Sequence, residues 1–410
     1  MTADARSRKN TADARSTTNT ADARSTAITV LSVDERDELA RSVRAACEKF
    51  ASQERVRAVA YDDPEDARGG FDSRLWELLC GQVGVAAIGL PEHLGGAGYG
   101  ASALGVVAHE LGRVLAPVPF VASTVLATGL LLDLQGLDGG AEERFSGLLE
   151  GRRTAAAAIT GDGGLWRRTA VTLTATEGHD DSWTVDGVVR HVLNGTTADD
   201  LVVVATTNGE LALFLIDPAT DGVEVDAERV LDGTRPMATL AFTGAPALKL
   251  SSDGPVDDII ERNVDLALAV LSAEQVGACE RVLEIATEYA RTRVQFDRAI
   301  GSFQAVKHRC ADMLVNLEWA RSASAAALES VDADAKEMAG ESDWRASMAK
   351  AVCSEALRDA AHANVQIHGG IGFTWEDSAH LYLRRARTDE VLFGGPGQHW
   401  DRLAIRKKLL

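Results

Sequence analysis

Tyr289-Ala290-Arg291-Thr292-Arg293-Val294-Gln295-Phe296-Asp297-Arg298-Ala299-Ile300-Gly301-Ser302-Phe303-Gln304-Ala305-Val306-Lys307-His308 lies between two long helical patterns. Residues 258–291 repeat apolar positions at helical spacing with Gly277 as the one internal glycine, and residues 305–328 do the same. A second stretch is built alike. Gln366-Ile367-His368-Gly369-Gly370-Ile371-Gly372-Phe373-Thr374-Trp375-Glu376 follows a helical pattern over 343–368 and precedes another over 378–386. A guanidinium such as Arg293 forks onto phosphate oxygens. A glycine pair such as Gly369-Gly370 lets backbone N–H groups come close to a ligand. Taken singly, Arg293 fits a surface ion pair and the glycines fit a turn, so the functional reading rests on both segments together.

Outward from these segments, the chain has 410 residues, enough for two or three domains. Its 46% apolar and 25% charged residues are ordinary for a globular protein. Acidic residues outnumber basic ones 61 to 42, for a net charge of −19, which argues against nucleic acid as a partner. The five cysteines are odd in number and show no CxxC spacing, so no disulfide framework and no metal site is expected. Neither a membrane-spanning run nor a hydrophobic signal core is visible, and a cytoplasmic protein is expected.

Three textures follow one another. Thr-Ala-Asp-Ala-Arg-Ser occurs at Thr2, Thr11 and Thr20, and residues 1–27 are expected to form a disordered repeat tail. Residues 28–153 read as an α-helical domain. Ser32 and Glu35 suit a capping box at its first helix, and Leu90–Gly100 is a glycine-rich loop. Residues 154–252 hold short runs of period two, such as Val171–Thr176, Leu201–Ala205 and Leu211–Ile216, and read as an antiparallel β domain. Residues 253–410 return to helices. The fold class is α+β: a helical domain, a small β domain and a C-terminal domain like a four-helix bundle.

The two quoted segments resemble the acyl-CoA dehydrogenase family, in its RxQFGxxIgxFQ and QxxGGxGFT signatures. Leu90-Pro91-Glu92-His93-Leu94-Gly95-Gly96-Ala97-Gly98 and His109-Glu110-Leu111-Gly112-Arg113 resemble its N-terminal domain. The resemblance implies FAD, shared between subunits. It implies that Arg293, Gln295 and Phe296, with Phe303 and Gln304, lie near the cofactor's pyrophosphate. It also implies that Gln366, Gly369 and Gly370 form a loop that approaches a neighbour's cofactor, and that Thr160 bonds a flavin edge. An acyl-CoA or other acyl thioester would be the substrate, and an electron-transfer flavoprotein or similar acceptor would take the electrons.

The chain departs from the family where the chemistry is done. The reaction needs a carboxylate base at the substrate's α-carbon. Phe393 stands at one of the family's two Glu positions and Ala267 at the other. His191 and Leu193 replace the Trp and Thr of a flavin-facing Trp-Ile-Thr-Asn pattern, and Asp297 replaces a Gly in the first signature. Three readings follow. The first is the base-lacking subunit of an actinobacterial α2β2 acyl-CoA dehydrogenase of steroid or lipid breakdown, which completes FAD sites while a partner supplies the Glu. The second is a self-sufficient flavoenzyme, a homotetramer, with its base moved to Glu390 or Glu274. The third is a flavin-free structural subunit. The bland expectation for Glu390 is an Arg387 partner three residues back, and for His191 a satisfied strand histidine. Arg384, Arg385, Arg387, Lys407 and Lys408 read as a solvated basic face.

Overall fold

The computed structural model describes residues 29–409 apart from 63, 66, 68, 133–139, 181, 253 and 338–341; the expected repeat tail over 1–27 lies outside the described residues. The first helices are α1 (Val33–Phe50), α2 (Gln53–Tyr61), α3 (Ser73–Leu78), α4 (Ala101–Val114), α5 (Thr128–Leu131) and α6 (Gly140–Leu149), with wide turns at Leu79–Val83 and Phe120–Ala127. The capping box opens α1 as expected. The Glu35 N–H donates to Ser32 Oγ at 3.3 Å, and the Ser32 N–H donates back to the Glu35 carboxylate at 2.8 Å.

The β domain holds β1 (Ala155–Ala158), β2 (Leu173–Glu177), β3 (Trp183–Leu193), β4 (Asp200–Thr207), β5 (Glu210–Ile216), β6 (Val223–Ala227) and β7 (Met237–Leu250). Strands β4, β2, β3, β7 and β5 pair in a closed ring, with β1 added on β4 and β6 on β7. Inside it the alternate residues Leu201, Val203, Phe214, Ile216, Leu240 and Phe242 form a separate core. The expected antiparallel sheet needs one correction: β4 runs parallel to both β1 and β2. Parallel neighbours need a long connection, and each of these pairs is separated by a stretch of chain that contains β3.

The C-terminal part contains α7 (Val256–Thr292), a short hairpin of β8 (Val294–Gln295) and β9 (Arg298–Ala299), α8 (Gln304–Glu337), α9 (Ser342–His368), α10 (Ala379–Val391) and α11 (Pro396–Arg406). Helices α7, α8 and α9 pack on one another, and α10 and α11 lie against α9. The N-terminal helices join this bundle through α4 on α7. A Cβ on Gly277 would fall 2.0 Å from the His109 carbonyl oxygen, and one on Gly112 would fall 2.1 Å from the Glu274 carbonyl oxygen. The single glycine of the α7 pattern therefore permits a backbone-to-backbone crossing. Among the described residues no helix is long and apolar enough to cross a membrane.

Candidate functional site

Where the β domain meets the bundle there is a cavity of about 30 Å³. Thr160, Gly163, Trp166, His191, Val264 and Phe393 are among its walls. Thr160 follows directly from β1, which brings it from the sheet to this junction. Val264 comes from α7, one turn before the buried Ala267. Both positions expected to carry a base thus lie at or next to this junction, and neither bears an ionisable group. A cavity of this size holds about one or two waters, and small-molecule sites run to about 300 Å³ or more. A three-ring isoalloxazine does not fit there.

The walls are held by direct bonds. The Phe393 N–H donates to the Gly163 carbonyl oxygen at 3.2 Å. Phe393 follows the last turn of α10 with a φ of 57°. Its carbonyl oxygen takes a hydrogen bond from His399 Nε2 at 3.0 Å. Lys350 Nζ, on α9, is fully buried and donates to the carbonyl oxygens of Asp389, Glu390 and Gly394 at 2.8, 3.2 and 3.2 Å, and to Ser354 Oγ at 3.0 Å. A cation on the open carbonyls of a helix C-terminus satisfies groups that the helix itself leaves free. Burial still pulls the Lys350 amine down to about 8, with the Asp389 charge opposing the shift. On the sheet side, His191 is engaged by Glu228: its Nδ1 lies 2.6 Å from one carboxylate oxygen and its N–H donates to the other at 2.9 Å.

The remaining expected residues gather elsewhere, at one end of the bundle. Arg293 closes α7, its N–H donating to the Tyr289 carbonyl oxygen at 2.9 Å. The hairpin turn over Phe296 and Asp297 has φ values of 53° and 61°, the positive pair of a tight two-residue hairpin. Arg293, Gln295, Asp297 and Gln304 are exposed, and Phe296 is 85% exposed. Phe303 lies under the hairpin, edge-on to Phe296 at 6.0 Å and beneath the Arg298 guanidinium at 4.0 Å. Arg298 therefore stacks on a ring, and Asp297 faces solvent. The second segment emerges beside the first, because Tyr289 at the end of α7 stacks on His368 at the end of α9, with centroids 4.1 Å apart and planes at 23°. Past that stack, Gln366, Gly369 and Gly370 are exposed. A Cβ on either glycine would meet nothing within 4 Å, and Gly369 has φ 65°. This open surface has the guanidinium, amides and bare backbone N–H groups that suit a pyrophosphate and its nucleotide.

Glu274 and Glu390 are both committed to arginines. Glu274 is 6% exposed and pairs with Arg235 and Arg385. Arg385 also holds Asp232 at 2.6 Å, and Arg235 approaches Asp389 at 3.1 Å. This buried network ties the loop before β7 to α7 and α10. Within it, burial pushes the Asp389 carboxyl up while Arg235 and Arg385 pull it down. Glu390 pairs with Arg387 at 2.5 Å, as the bland expectation had it, and with Arg358 at 2.9 Å. The expected basic face is corrected in the same region. Arg385 is buried in the network, Arg384 stacks on Tyr61 and Trp375, and Lys407 lies over Trp344 at 4.0 Å. α10 turns Arg384 and Arg385 to different neighbours, while Arg387, Lys407 and Lys408 are exposed as expected.

Comparison with known proteins agrees with this architecture. The acyl-CoA dehydrogenase N-terminal domain model matches residues 37–137, and the C-terminal domain model matches residues 258–407. Acyl-CoA dehydrogenase IpdE2 of Mycobacterium tuberculosis is 33% identical over 374 residues, 90% of this chain and 96% of that protein. The chain belongs to the acyl-CoA dehydrogenase family. Among solved structures, the ChsE4-ChsE5 complex of M. tuberculosis has a chain that is 28% identical, with a TM-score of 0.78, over 92% of this chain and 98% of that one. A Tcur3481-Tcur3483 steroid acyl-CoA dehydrogenase variant matches with the same identity and TM-score, over 92% and 99%. The family is one of oxidoreductases, and the helical–β–helical order described above is its fold.

The sequence pattern gives no role to Lys350, Tyr289 or His368, which support the acyl-CoA dehydrogenase site from outside. A late His399 belongs to the resemblance to the base-lacking type, but its bond to the Phe393 carbonyl depends on how α11 folds back. Lys350 gave no signal, because a lysine in a helical pattern reads as exposed.

Proposed function

We propose that this chain is the base-lacking subunit of a heteromeric acyl-CoA dehydrogenase, acting in α,β-dehydrogenation of an acyl thioester. Its part is to complete the FAD site of a partner subunit that supplies the catalytic carboxylate. The observation that carries this reading is the contrast between its two regions. The junction cavity is water-sized and has Phe393 and Ala267 where a base would stand. The platform of Arg293, Gln295, Phe296, Gln366, Gly369 and Gly370 is open and unshielded. An exposed phenylalanine at a turn tip suits a surface that another chain covers.

The bound flavin would supply the hydride acceptor. This chain's residues would bind and orient it. Arg293 would fork onto phosphate oxygens, the N–H groups of Gly369 and Gly370 would approach the nucleotide, and Gln295 and Gln366 would fix its register. Phe296 would cover the site against water. The two-component complexes among the similar structures, one of them named a steroid enzyme, support a bulky acyl group as the substrate. An electron-transfer flavoprotein or similar acceptor would complete the cycle.

A self-sufficient enzyme with a relocated base is disfavoured, because Glu274 and Glu390 each hold two arginines and neither lines the cavity. A flavin-free scaffold leaves the open platform without a purpose. Removing Arg293 tests the proposal. In the complex with its partner, Arg293→Ala should weaken FAD binding about 10- to 100-fold, as expected for a lost charge-assisted bond of about 1.5–3 kcal/mol, while native mass is unchanged. Wild-type affinity in that variant would contradict the proposed role.

A further inference from the structure

Resting on that proposed division of labour, a further role falls to the junction between the β domain and the bundle, where Phe393 lines the cavity. The segment that follows β1 and the loop that follows α10 touch directly. The Phe393 N–H is bonded to the Gly163 carbonyl oxygen. Beside it, a Cβ on Gly394 would lie 3.1 Å from Leu165 Cβ and 3.2 Å from His399 Nε2, so the turn packs closely on both side chains. Phe393 holds a left-handed conformation, which a bulky residue adopts only when its surroundings over-determine it. Here Lys350 gathers three carbonyl oxygens of the turn on one buried amine, and His399 fixes a fourth, that of Phe393 itself.

We infer that Phe393 is a plug that excludes the flavin ring from this chain's own domain junction, and that Lys350 and His399 are the positioning residues that hold it there. The missing carboxylate and the missing cofactor then have one cause. The residue that replaces the base also fills the space. Its αL conformation makes the inference accessible to experiment, because glycine removes the aryl group and suits that backbone better than phenylalanine does.

The test is a flavin count on the complex of full-length chain and partner, purified with saturating FAD. Flavin is released by denaturation and measured by absorbance against protein, with native mass measured alongside. The wild-type complex should hold one FAD per two chains. Phe393→Gly should raise this toward one per chain at unchanged native mass, and Lys350→Met should raise it part of the way. Where the glycine variant fails to assemble, Phe393→Leu shortens the plug and is read by the same rule. A ratio that stays at one per two chains in an assembled plug variant overturns the plug and leaves the division of labour standing. A wild-type ratio of one per chain overturns both.

Discussion

His399 shows how a single residue carries this account. It is fully buried on α11, Nε2 donates to the Phe393 carbonyl oxygen, and Nδ1 has no hydrogen-bond partner. Burial, with the nearby Lys350 charge, holds its pKa down at about 3. In the unfolded chain a histidine takes its proton near pH 6.5. Between those values the unfolded state binds a proton that the folded state does not, so stability falls as pH falls from about 6.5 toward 3, by up to about 1.4 kcal/mol per unit. His399→Gln, which keeps a donor for the Phe393 carbonyl, should flatten this part of a urea-denaturation series between pH 4 and 7. An unchanged slope would show that His399 is not the group responsible. Arg385 makes the complementary case. It is 3% exposed and bonded to Asp232 and Glu274, so Arg385→Met would leave buried Asp232 without its arginine and Glu274 with Arg235 alone. A loss of about 3–5 kcal/mol in unfolding free energy is expected. Residue types alone suggested neither fate. Arg385 read as part of a basic surface, and only the packing of α10 against β7's preceding loop buries it.

At the scale of elements, periodicity was informative where apolar spacing was strong and misleading where composition pointed the other way. The pattern over 258–291 and the structure's α7 nearly coincide, and the capping box placed the start of α1. Ala155–Ala158 is four alanines, a helix-forming composition that becomes the strand β1 only by pairing with β4. The composition of Gly394-Gly395-Pro396-Gly397 does not announce α11, although proline is well suited to the first turn of a helix. Two changes test these elements. Gly277→Ala, whose Cβ would strike the His109 carbonyl, should force α4 and α7 apart and cost about 1–3 kcal/mol by thermal or urea unfolding. Asp297→Gly in the hairpin turn should have the opposite sign, a gain of about 0.5–1 kcal/mol, because its φ of 61° is glycine-like. Equal stability of both variants with wild type would count against the crossing and the turn as described.

At the scale of the molecule, the two informative segments were legible as a pair, and the Tyr289–His368 stack shows why: it carries both to the same end of the bundle. The substitutions at 267 and 393 could be read from the sequence, but the closure of the junction could not. Its small volume is a property of two domains meeting, through Gly163, Leu165 and Gly394, and no local pattern encodes that meeting. On the proposed division of labour, a closed interior and an open exterior surface together leave the chain incomplete as an enzyme when alone. The most direct check is the visible spectrum together with native mass, taken on the purified chain by itself and then on the chain produced with a partner acyl-CoA dehydrogenase. The account predicts a colourless chain alone, and a yellow 2:2 complex bleached by an acyl thioester when the partner is present. A yellow homotetramer with one flavin per chain, bleached by a thioester without any partner, would contradict it.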